Sequence, residues 1–170
     1  MKSGVKGFFA GEVWEKVRTY IIAIAIPLGV GTLSALLTRG SMDIYGEIET
    51  PPLAPPGFLF PIVWAVLYVL MGISSALIWQ RREENPAVAK RGLRFYGISL
   101  VFNFLWSIIF FNYQSYLAAL VWLAALLYFI VRTVIEYKKI SPVAAYLEIP
   151  YAAWVLFAGY LNFGIFWLNR

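Results

Sequence analysis

The chain has 170 residues, of which 61% are hydrophobic and 14% charged, and its mean hydropathy is +0.73. A soluble domain is nearer half apolar and a quarter charged, and a globule of this size cannot hide so much apolar surface. There is no Cys and no His, which excludes disulfides, thiolate or imidazole metal sites, Ser-His-Asp catalysis and a proximal-His haem.

A membrane-crossing helix needs about 20 mostly apolar residues, and read in chain order the sequence offers five such spans. Residues 1–19 form a basic N-terminal arm carrying Lys2, Lys6, Lys16 and Arg18. The first span follows at about 20–37, with Pro27, Gly29 and Gly31 inside it. It begins too far in, and lacks the small-residue cleavage site, for a cleaved leader, so it is expected to be a retained helix. Residues 38–57 make an acidic outer loop with Asp43, Glu47 and Glu49, ending in four prolines between Pro51 and Pro56. Such a stretch cannot be helical and stiffens the backbone, so the loop reads as a lid or as a plain connector. The remaining spans are expected at about 58–79, 93–111, 116–137 and 143–167. None alternates with period two, which argues against a membrane β-barrel. Residues 20–169 are therefore read as one all-α integral membrane domain of five transmembrane helices.

Lys and Arg counting orients it. The N-terminal arm, the loop from Arg81 to Arg94 and the Lys138-Lys139 turn carry eleven cations on one side, against Arg39 and Arg170 on the other. The N-terminus is expected inside and the C-terminus outside. The net charge of +5 is thus a topology signal rather than a nucleic-acid footprint.

Matching depths across antiparallel spans at about 1.5 Å per residue gathers aromatic rings and two amides in the outer half of the bundle. Trp64 and Tyr68 share one helical face, as do Asn103, Trp106 and Phe110, and again Tyr151, Trp154 and Ala158. Trp122 lies at similar depth in the fourth span. Trp79, Tyr137 and Trp167 fit an interfacial belt. Asn103 and Asn162 must face the interior, either in interhelical hydrogen bonds or against a ligand. Gly29, Gly31, Ala158 and Gly159 are candidates for close helix packing. Arg132 forms an i, i+4 pair with Glu136 and lies at the depth of Glu148. It is expected to pair with Glu148 or to snorkel. No metal cluster, phosphate loop or dinucleotide fingerprint is present, and one intramembrane acid does not make a proton relay.

The segment Pro52-Leu-Ala-Pro-Pro-Gly-Phe-Leu-Phe-Pro-Ile-Val-Trp64-Ala-Val-Leu-Tyr68 resembles the proline-rich loop and second helix of the TspO/MBR family. Asn103-Phe-Leu-Trp106-Ser-Ile-Ile-Phe110-Phe111 is similar to its third-helix motif, Ser141-Pro142 to the entry of its fifth helix, and Pro150-Tyr151-Ala-Ala-Trp154 through Asn162 to its fifth-helix signature. The resemblance covers residues 20–169 in order. It implies a multi-pass membrane protein, commonly a homodimer, that binds porphyrins and other hydrophobic ligands between the helices beneath the first outer loop. The ligand-binding positions expected here are Leu53, Pro55, Trp64, Tyr68, Asn103, Trp106, Phe110, Trp122, Tyr151, Trp154 and Ala158, of which the resemblance implies Trp64, Tyr68, Asn103, Trp106, Tyr151, Trp154 and Ala158. Trp154 matches a fifth-helix Trp implicated in the family's porphyrin chemistry and is the candidate catalytic residue. Leu53 stands where many relatives carry Trp, and Thr50 where Lys is frequent. The cholesterol-recognition pattern of animal members is absent, since the next cation after Tyr160 is Arg170.

Three functions follow as expectations. The first is a receptor or sensor for tetrapyrroles, requiring no cofactor and no metal, with the porphyrin as ligand held by stacking on aromatic faces. The second is an enzyme for light-dependent porphyrin degradation, weakened by Leu53. The third is a tetrapyrrole transporter, which five spans without an internal repeat support poorly. The expected location is a bacterial cell membrane, or the outer mitochondrial membrane in a eukaryote. The expected partners are the bilayer, a hydrophobic small molecule and a second copy of the chain, with no nucleic acid.

Overall fold

The computed structural model describes the backbone of residues 2–170 and the side chains of residues 11–41 and 44–170. Met1 and the side chains of Lys2, Lys6 and Asp43, which belong to the basic arm and the acidic loop of the sequence reading, lie outside the described residues. Among the described residues five α-helices are present: α1 (Lys2–Thr38), α2 (Leu59–Gln80), α3 (Pro86–Ser107), α4 (Tyr116–Lys138) and α5 (Pro142–Leu168). All five are long and apolar enough to cross a membrane.

The apolar runs locate these helices well, but their ends follow other rules. α1 runs back through the stretch set apart as a basic arm, because Lys and Arg are good helix formers at a water-facing end. α3 begins about seven residues before its apolar run: Asn85 accepts a hydrogen bond from the Val88 amide at 3.3 Å, and Pro86 occupies the first helical position. α5 starts in the same way, with Ser141 accepting from the Ala144 amide at 3.3 Å and Pro142 following. Past Ser107, α3 widens into a π-helical turn, Ile108–Asn112, in which the Tyr113 amide reaches the Ile108 carbonyl at 3.1 Å. Such turns rotate side chains out of the α-helical register.

α1 packs on α2 and α3, α2 on α5, α5 on α4 and α4 on α3, so the helices run around the bundle in the order 1-2-5-4-3. Gly72 sets the α1–α2 approach: a Cβ there would lie 2.5 Å from the Ile24 Cα, so only hydrogen fits. Toward the end with the α2–α3 and α4–α5 turns, Met71, Ile78, Leu126, Ile130 and Tyr137 are fully buried, so Tyr137 belongs to the core rather than to the interfacial belt expected of it. The other end carries the α1–α2 connection. That connection is a 3-10 helix, Arg39–Gly46, followed by the proline-rich loop.

Arg132 does not pair with Glu148. Its guanidinium stands 3.7 Å from Glu136 and lies over the Phe95 ring at 5.0 Å. Equal depth was not sufficient, because Arg132 and Glu136 share the face of α4 turned toward α3, whereas Glu148 points into the core and is 1% exposed. Of the glycines expected to mediate packing, Gly31 meets Tyr68, while Gly29 and Gly159 have open space where a side chain would go.

Candidate functional site

Beneath the α1–α2 connection lies a cavity of about 400 Å³. Its α1 wall is Leu28, Gly31 and Ala35; its α2 wall is Phe60, Trp64 and Tyr68; its α3 wall is Trp106 with Phe110 and Phe111 from the π turn; and its α5 wall is Ala158, Leu161 and Ile165. Tyr45 and Gly57 contribute from the connection above. No ionised side chain is among the lining residues, and no group of three His, Cys, Asp or Glu capable of holding a metal occurs among the described residues.

Two interhelical hydrogen-bond systems fix the walls. The Tyr68 hydroxyl donates to Asn103 Oδ1 at 2.8 Å, tying α2 to α3. The Trp106 indole donates to Asn162 Oδ1 at 3.3 Å, while Asn162 Nδ2 donates to the Tyr116 carbonyl at 2.8 Å, joining α3, α5 and the start of α4. Both amides are buried, as an amide in hydrocarbon must be. Trp64 stacks on Tyr68 with centroids 5.4 Å apart. A Cβ on Gly31 would fall 2.1 Å from the Tyr68 ring, so the ring takes its place only because α1 offers no side chain there. Trp106 and Phe110 stand 5.2 Å apart, and Phe110 meets Phe111 edge to face at 4.9 Å. The wall is therefore a set of fixed rings, suited to stacking against a flat apolar molecule.

Among the cavity-lining residues, the Ser34 Oγ and Tyr45 Oη atoms are buried without a hydrogen-bond partner. Burial pushes the Tyr45 phenol above its ordinary pKa, so it is a neutral donor at physiological pH.

The proline-rich loop is fastened to the end of α5. Asn169 brackets Glu49, accepting from its amide at 3.0 Å and donating to its carbonyl at 2.8 Å, and the Tyr160 hydroxyl donates to the Pro52 carbonyl at 2.8 Å. Within the loop, the Ala54 amide reaches the Pro51 carbonyl at 3.2 Å, closing a turn with Pro52 and Leu53 at its centre. Leu53 has φ of 66° and is 82% exposed. A left-handed conformation at this place in a turn is ordinarily given to glycine.

The structure brings five of the expected ligand-binding positions to the cavity surface, Trp64, Tyr68, Trp106, Phe110 and Ala158, together with Asn162 and Gly31, which the sequence marked as interior and packing residues. Asn103 lies behind Tyr68 as its acceptor. Tyr151 lies behind Trp64, ring edge toward face at 6.1 Å. Trp154 stands one ring removed, edge-on to Phe60 at 5.9 Å. Leu53 and Pro55 belong to the loop without lining the cavity. Trp122 serves the α3–α4 contact, stacking on Phe102 at 4.5 Å and donating to its carbonyl at 2.9 Å. The sequence reading did not single out Phe60, Leu161, Ile165 or the α1 wall. Apolar residues carry no chemical flag, and only Gly31 stood out, as a packing residue.

The chain matches the TspO/MBR family over residues 23–168. It is 36% identical to the tryptophan-rich protein TspO of Chlorobaculum tepidum over 91% of this chain and 98% of that one. It is 35% identical to the protein of the same name from Archaeoglobus fulgidus, over 88% and 95% of the two chains. Similarity extends to the translocator protein of Bos taurus, 33% identical over 82% of this chain and 83% of that one.

Proposed function

The chain belongs to the TspO/MBR family, and from that premise we propose that it is a membrane receptor binding tetrapyrroles of the protoporphyrin IX kind, and other flat hydrophobic molecules, in the cavity beneath the α1–α2 connection. The observation that carries this reading is the cavity wall itself, mostly apolar and uncharged, with the rings of Trp64, Tyr68, Trp106 and Phe110 on it, Tyr68 being held by Asn103 and Trp106 by Asn162. A porphyrin macrocycle stacks on such rings. Its two carboxylates find no cation inside and belong at the mouth, toward the loop. With no His in the chain, iron has no usual axial ligand here, which favours the metal-free porphyrin over haem.

In this reading the protein acts as a homodimer in a bacterial cell membrane, with its N-terminus inside. The cation asymmetry supports that orientation. Binding is favoured over photochemical degradation because Trp154 is screened from the cavity by Phe60 and because position 53 holds Leu.

The test is a titration of protoporphyrin IX into the full chain in lipid nanodiscs, followed by tryptophan fluorescence. Quenching should be saturable and should shrink in Trp64→Phe and Trp106→Phe but not in Trp122→Phe. Equal quenching in all three variants would place the ligand elsewhere. Illumination of the complex should consume porphyrin no faster than porphyrin in empty nanodiscs; faster loss would favour the enzyme.

A further inference from the structure

At the end of the bundle away from the cavity, α3 and α4 present a cluster of charges that the ligand site does not use. Glu136 is 2% exposed, and its Oε2 accepts from Arg91 Nη2 and from Lys139 Nζ, both at 2.9 Å. Arg132 Nη2 approaches its other oxygen at 3.7 Å. The three cationic side chains are 47%, 46% and 37% exposed respectively, and Arg132 Nε is buried without a partner. One carboxylate therefore gathers three partly exposed cations into one group with two positive charges in excess. The neighbouring acid Glu83, in the α2–α3 turn, is engaged by Arg82 at 3.2 Å.

The surface next to these cations is apolar. Tyr128, Arg132, Ile135 and Lys139 follow one another at i, i+4, i+7 and i+11 and form one stripe along α4. Tyr128 is 53% exposed, Val131 44% and Ile135 46%. Phe95 continues the apolar surface on α3, beneath the Arg132 guanidinium. Cations at one end of an apolar stripe, on a helix pair that reads as spanning a membrane, match the layout of an amphiphile with an anionic head.

We propose that the α3–α4 surface at Arg91, Arg132 and Lys139 binds the headgroup phosphate of an anionic phospholipid, with the acyl chains along Val131 and Tyr128. Arginine offers paired donors suited to phosphate oxygens, and clustered basic residues at a membrane boundary attract anionic lipid. Glu136 acts as the positioning residue, holding the three cations together before the lipid arrives. A free phosphate ion would use the cations and leave the stripe unused, so the proposal commits to the lipid.

The full chain in a zwitterionic detergent is titrated with phosphatidylglycerol, with phosphatidylcholine and with inorganic phosphate, and retained lipid is read by native mass spectrometry. Phosphatidylglycerol should be retained about tenfold more tightly than phosphatidylcholine. Arg91→Gln with Lys139→Gln should abolish that preference, and Arg91→Lys with Lys139→Arg should keep it in large part. Arg39→Gln with Arg170→Gln, at the cavity end, should keep it fully. Retention of the preference in the doubly neutralised chain overturns the proposal. So does equal retention of phosphatidylcholine by the unaltered chain, or displacement of the lipid by inorganic phosphate at equal concentration. If the neutralised chain does not fold, the Lys139→Gln chain alone decides by the same criteria.

Discussion

Trp106 and Asn162 are joined across the bundle: the indole of one donates to the amide oxygen of the other at 3.3 Å, and the same amide donates onward to the Tyr116 carbonyl at 2.8 Å. One side chain on α5 thereby sets the position of an aromatic wall on α3 and of the first turn of α4. Replacing it leaves the Trp106 indole N–H without its partner and removes the tie to the Tyr116 carbonyl. Asn162→Leu is expected to destabilise the protein by about 1–3 kcal/mol, since hydrogen bonds inside membrane proteins contribute modestly but an orphaned group adds its own penalty. The check is the thermal unfolding midpoint in detergent. An unchanged midpoint would show that the pair contributes nothing to stability.

The Tyr68 ring rests where Gly31 has no side chain. Gly31→Ala must push the ring away, breaking its hydrogen bond to Asn103 and its stack on Trp64. Ligand affinity should fall about tenfold or more, equivalent to losing one well-placed contact, while the chain still folds. Tyr68→Phe keeps the ring in place and removes only the hydroxyl, so it should lose less affinity than Gly31→Ala. The reverse order in a binding titration would contradict the steric account.

The loop over the cavity is held by Asn169 and Tyr160. Asn169→Ala and Tyr160→Phe should each speed ligand release with little change in the association rate, because they loosen a closed loop without altering the walls. Stopped-flow fluorescence separates the two rates. Hydrogen exchange should rise across residues 47–56 in both variants, and unchanged exchange there would mean that the loop is held by other contacts.

Arg132 and Glu148 make no contact, whereas Arg132 and Glu136 do. A double-mutant cycle with Arg132→Gln and Glu148→Gln should be additive within about 0.5 kcal/mol, as for residues without shared partners. The corresponding cycle with Glu136→Gln should show coupling. Coupling to Glu148 of comparable size would restore the pairing that equal depth suggested.

The five spans were legible because hydrophobic length is a one-dimensional property of the chain. The start of α3 was not, since Pro86 to Arg94 is helical yet too polar to count as membrane-embedded, and only the Asn85-Pro86 cap marks it. The π turn at Ile108–Asn112 left no trace in composition, although it delivers Phe110 and Phe111 to the cavity. Helical faces brought Trp64, Tyr68 and Trp106 together on paper because their spacing repeats with the helix. They could not separate residues on the cavity surface from those directly behind it. Tyr151 and Asn103 differ from Trp64 and Tyr68 by a single layer of packing, a distance no periodicity reports. Trp122 shared their depth but faces the α3–α4 contact, and rotation about the helix axis is set by neighbours rather than by sequence spacing.

The central claim is that a flat hydrophobic ligand occupies the space between α1, α2, α3 and α5. Filling that space tests it most directly. Ala35→Phe and Ala65→Phe each place a ring in the cavity from a lining position, and protoporphyrin IX affinity is measured by fluorescence titration in nanodiscs alongside the unfolding midpoint. Both variants should keep the midpoint of the unaltered chain and lose at least about tenfold in affinity. Unchanged affinity in two folded, cavity-filled variants would contradict the account.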